Sequence, residues 1–108
     1  MPDTPSVSPG ALRHARTFLS AYFQSPTLHE DLSHFVLDAR SCFLDQHAHL
    51  RHKLAVMKES HAPHRERVEH TLDLIRLILR QPDDASFVAQ INLQAENLSA
   101  AKADLQKL

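Results

Sequence analysis

The sequence predicts an all-α fold: a small antiparallel bundle of about four helices, with one long central helix over about residues 27–60. Three observations carry this expectation. Apolar residues recur at helical spacing through four separate segments. Proline marks each break between them, at Pro26, Pro63 and Pro82. A single glycine, Gly10, in 108 residues argues against a fold rich in tight hairpins.

Residues 1–8 are rich in Pro and Ser and read as a flexible tail ahead of a single helical domain over residues 9–108. Ser8 and Pro9 form an N-cap and first-turn pair. The first helix, over about residues 10–24, presents Leu12, Ala15, Phe18, Leu19, Tyr22 and Phe23 on one broad face. The short Ser25-Pro26-Thr27 turn predicts that this helix lies antiparallel beside the next.

The long helix starts at Thr27, which with Glu30 forms a capping-box pattern. At 1.5 Å per residue it would span about 50 Å. Its core face holds Leu28, Leu32, Phe35, Val36, Ala39, Phe43, Leu50, Leu54 and Met57. A second apolar seam, Leu37, Leu44, Ala48 and Ala55, lies away from that face. A third stripe carries Asp31, His34, Asp38, Asp45, His49, His52 and Glu59. The third helix runs over about residues 63–80. Leu72, Leu74, Ile75, Leu77, Ile78 and Leu79 surround more than one of its faces and place it at the centre. Asp83 then caps a fourth helix. Phe87, Ile91, Gln94, Leu98, Ala101, Leu105 and Leu108 alternate in steps of four and three, a heptad-like seam.

The net charge of −1 supplies no overall field for nucleic acid or membrane. No apolar run approaches the ~20 residues of a membrane span, and residues 1–9 lack a signal-peptide core. One cysteine, Cys42, fits a reducing compartment, and the cytoplasm is the expected location. Cys42 reads as a structural thiol rather than a nucleophile. No Gly-rich phosphate loop or nucleophile elbow is present, so no enzyme is expected.

Nine histidines are the compositional anomaly, and six lie between His47 and His70. Asp45, His49 and His52 stand at i, i+4 and i+7 on one helix face. A carboxylate and two imidazoles so placed are an alternative site for a transition metal such as zinc. No Glu-x-x-His pair or paired Cys supports it, and His-rich tracts are unspecific. The same histidines offer a pH switch that turns a balanced patch positive. A phosphotransfer histidine is a weak reading, since His52-Lys53 has no glycine after it. Arg40, Arg51, Lys58, Arg65 and Arg67 can meet phosphates, but no aromatic residues interleave with them, so nucleic acid is not expected as a partner.

The leading expectation is a protein–protein interaction module: an adaptor, small chaperone or regulator, without cofactor, acting through helical surfaces as an oligomer or with a protein partner. Its binding residues are Leu37, Leu44 and Ala55 on the long helix, or Leu98, Leu105 and Leu108 on the last.

Overall fold

The computed structural model describes residues 7–24, 28–57 and 62–106. These form four helices: α1, Pro9–Tyr22; α2, Leu32–Ala55; α3, Ala62–Leu79; and α4, Asp84–Gln106. No strand occurs among the described residues. The all-α bundle is thus as the sequence predicts, while two boundaries and one neighbour differ.

Local chemistry sets most helix ends. Ser8 caps α1, its Oγ accepting the Ala11 N–H at 3.1 Å, with Pro9 in the first turn. Asp83 caps α4 by accepting the Ser86 N–H at 2.8 Å, and that bond holds its carboxyl below the ordinary range. At the start of α2 the expected cap is displaced. Asp31, extended at φ −72° and ψ 133°, accepts the His34 N–H at 3.3 Å, and the helix begins at Leu32. Thr27 lies outside the described residues. The helix also stops early, at Ala55. The Met57 N–H turns back to the Leu54 carbonyl at 3.2 Å, and Arg65 of α3 donates Nη1 to the same carbonyl at 3.2 Å. With 24 residues, α2 spans about 36 Å rather than 50 Å.

The core takes Phe35, Val36, Ala39, Phe43 and Leu50 from α2, as the periodicity predicts. From α3 it takes Val68, Leu72, Leu74, Ile75 and Ile78. Burying each such side chain contributes roughly 2 kcal/mol before chain entropy is counted. Phe43 stands at the middle of an aromatic chain, its ring 5.0 Å from Phe23 and 6.3 Å from Phe87, both edge-on. Thr71 is the one buried polar residue among those described, and its hydroxyl donates to the Arg67 carbonyl at 3.0 Å.

The expected side-by-side pairing of α1 with α2 is corrected. The main neighbour of α1 is α4, and only a minor contact joins it to α2. Residues 23–31 separate the two helices, a connection long enough to release α1 from its neighbour in sequence. Two polar ties hold α1 to α4, and a third, from Gln46, joins α1 to α2. Asn92 Nδ2 donates to the Ala11 carbonyl at 3.1 Å, Lys102 Nζ donates to the Tyr22 carbonyl, and Gln46 Nε2 donates to the Tyr22 hydroxyl at 3.0 Å. The most extensive packing is between α3 and α4, and α4 also touches both other helices.

Candidate partner-binding surface

The α4 seam faces inward. Phe87, Ile91, Leu98 and Ala101 are buried in this chain's own core, and Leu105 packs against it half-buried. Leu98 is fully buried, so its expected place on a partner surface is corrected: α4 packs most extensively against α3 and also against α1, and this face of it turns inward. Leu108 lies outside the described residues.

The α2 seam faces outward. Leu37 is 65% exposed and Leu44 56%, and Ser41, Ala48 and Ala55 are exposed beside them. The step pattern 37, 41, 44, 48, 55 puts these residues on one stripe, opposite the helix's core residues. Two leucines so exposed on one helical stripe leave an apolar surface to cover.

Charged side chains border the stripe. Toward residues 28–31, Asp38 accepts hydrogen bonds from the His29 ring Nδ1 and from the His29 N–H, the latter at 3.4 Å. The His29 ring bond, ahead of the backbone one, holds the Asp38 carboxyl below its ordinary range. His34 Nδ1 lies 2.9 Å from Asp31 Oδ2 and lowers that carboxyl in the same way. The two imidazoles lie 5.2 Å apart. On the α3 side, Arg76 Nε donates to His47 Nε2 at 3.2 Å. Burial, then the cations Arg76 and Arg51, push the His47 pKa down. This member of the histidine tract therefore resists protonation, opposite to what a cationic pH switch requires.

The expected metal trio does not assemble. Asp45, His49 and His52 are exposed on α2. Among the described residues, no three His, Cys, Asp or Glu side chains converge where they could hold a metal ion. Helical spacing put the trio on one face, but among the described residues the neighbouring helices bring it no further ligand. Cys42 is half-buried, and desolvation with the nearby Asp45 and Asp38 raises its pKa, away from a nucleophilic thiolate.

Arg40 was grouped with phosphate-contacting cations by sequence, and here it is structural. Its Nη1 donates to the Leu79 carbonyl and its Nη2 to the Gln81 carbonyl, both at 3.1 Å. Its guanidinium carbon sits 4.5 Å from the centre of the Phe87 ring. It therefore closes the C-terminus of α3 from α2 while lying on α4. Sequence reasoning also missed Leu93, 69% exposed on α4. It falls off the α4 seam, which was the signal available. Shallow hollows of about 230 and 480 Å³ flank Phe18 between α1 and α4, and Leu93 lines the larger. Lys102, which lines the smaller, is engaged with the Tyr22 carbonyl and lies 5.0 Å from the Tyr22 ring centre.

No helix among the described residues is long and apolar enough to cross a membrane. Fold and surface together define an all-α bundle domain with an exposed apolar stripe on one helix. Residues 11–108 match the family model described as the BREX ATP-binding protein BrxC alpha helical domain, and the chain belongs to that family. No curated protein and no solved structure matches the chain.

Proposed function

We propose that this chain is a non-enzymatic interaction module of a BREX phage-defence assembly, working in the cytoplasm and engaging protein through the outer face of α2. The observation that carries the reading is membership of a family named as the helical domain of an ATP-binding BREX protein. ATP binding falls to other segments of such an assembly. With one glycine, this sequence offers no Gly-rich loop to cradle phosphates. What it offers is Leu37 and Leu44 on a rigid helix, flanked by small side chains that admit a second helix closely.

The test is affinity capture of the full chain from its native cells, using a tag without histidines. Wild type recovers protein of that assembly, the BREX ATP-binding protein or a further copy of the chain. The Leu37→Glu/Leu44→Glu variant loses it while keeping its helical circular dichroism, because both side chains are exposed. An unchanged set of partners in a folded variant refutes this face as the binding surface.

A further inference from the structure

We propose that the outer face of α2 pairs with the same face of a second copy, the two α2 helices running parallel about a twofold axis between them. The proposal rests on the reading of that face as an interface, and it names the occupant.

The argument is the distribution of charge about the stripe. Its positions, Leu37, Ser41, Leu44, Ala48, Arg51 and Ala55, are all exposed and alternate in steps of four and three. That is the spacing of a helix–helix seam. One edge is acidic. It carries Asp38 and Asp45, with His34 and His52 at neighbouring positions, and Asp31 and His29 engage His34 and Asp38. Asp38 and Asp45, seven residues apart on α2, stand on the same side of the helix. The other edge, toward α3, is basic. It carries Arg76 and the half-buried Arg40, whose guanidinium is engaged with the Leu79 and Gln81 carbonyls; His47, held toward its neutral form, adds no charge, and Arg51 stands one helical turn on from it. Asp73 lies there too, 3.5 Å from Arg76 Nη1, and engages one nitrogen of that guanidinium.

Symmetry then selects the orientation. A twofold axis parallel to α2 turns the acidic edge of each copy onto the basic edge of the other. An axis perpendicular to α2 makes the pair antiparallel and sets acid against acid and base against base. The face is self-complementary only in the parallel arrangement. There Leu37 and Leu44 each meet their own counterpart across the axis, Ser41, Ala48 and Ala55 let the backbones approach, and the two Arg51 side chains, also on the seam, turn away from each other off the axis. Helical side chains lean toward the N-terminus. Arg51 of one copy thus reaches back toward the level of Asp45 in the other. From 37 to 55 the seam runs about 27 Å.

The experiment is oxidative cross-linking of untagged full chain in a Cys42→Ser background, with sedimentation velocity of the unmodified protein. Leu37→Cys and Leu44→Cys each link to themselves faster than Ala100→Cys, an exposed position on α4. A mixture of Leu37→Cys chains with Ala55→Cys chains gives no 37–55 link. Asp45→Arg and Arg51→Asp each weaken the dimer about fivefold, and the double variant restores it. Dominant 37–55 links overturn the parallel arrangement. A monomer at every concentration that still captures the BREX ATP-binding protein through Leu37 and Leu44 overturns self-pairing alone. A monomer that captures nothing through that face overturns the reading beneath it as well.

Discussion

Replacing Arg40 by Met keeps an unbranched stem of similar length and removes the guanidinium. Two hydrogen bonds go, those to the carbonyls of Leu79 and Gln81 at 3.1 Å, with the stacking over Phe87 at 4.5 Å. Hydrogen bonds from a charged donor are each worth roughly 1.5–3 kcal/mol, and a partly desolvated cation–π contact about 1 kcal/mol. These do not add in full. Arg40 is half-buried, and water can reach carbonyls at a helix end. A net loss of about 2–3 kcal/mol is expected. At about 4–8 °C per kcal/mol in a domain of this size, the melting temperature falls by roughly 10–20 °C. The assay is urea unfolding followed by circular dichroism, with the slope unchanged and the midpoint lowered. Arg40→Lys retains the charge but not the fork that spans two carbonyls, and recovers about half of the loss. Arg13→Met, at an exposed position on α1, changes stability by less than about 0.5 kcal/mol. An Arg40→Met protein as stable as Arg13→Met would falsify the assignment of Arg40 as the clamp on α3.

Three further outcomes follow from the same structure. Phe43→Ala opens a cavity between Phe23 and Phe87 and costs about 3–5 kcal/mol, read as a large drop or loss of the cooperative urea transition. His47 is held below its ordinary pKa by burial, Arg76 and Arg51, so the unfolded chain binds its proton more readily. The contribution of His47 is present above about pH 6.5 and is lost as pH falls through the depressed native value. His47→Gln removes that part of the stability–pH slope, and an identical profile in the variant refutes the assignment. The Asp38 carboxyl, lowered chiefly by the His29 ring bond, titrates below the ordinary range by NMR. His29→Ala moves it back upward, and no movement would exclude the contact.

The elements themselves were legible in the chain because they arise from interactions spanning three or four residues. Ser8 and Asp83 cap helices where a short acceptor precedes an apolar period, and the bonds they accept come from three residues on. The core positions of α2 follow from 3.6-residue periodicity alone; on α3 the apolar run marked Leu72, Leu74, Ile75 and Ile78, while Val68 and Thr71 are buried outside that run. The outward stripe of Leu37, Leu44, Ala48 and Ala55 was equally legible, because a second seam on a helix is visible before its neighbours are known. Asp31 was the local signal misread, since two acceptors, Thr27 and Asp31, compete to start α2 and only the backbone geometry chooses between them.

Tertiary structure alone decided the rest. Leu98 and Leu44 both read as seam residues, and only the docking of α4 shows that one is core and the other surface. The bond that ties α1 to α4 joins residues 81 apart. The Arg40 bonds join residues 39 and 41 apart. No periodicity records such separations. Helix formation is decided within a turn, whereas which helices meet depends on how all their apolar faces are covered at once. That shared burial moved α1 onto α4, turned Arg40 from a surface cation into a clamp, and left the α2 stripe facing out.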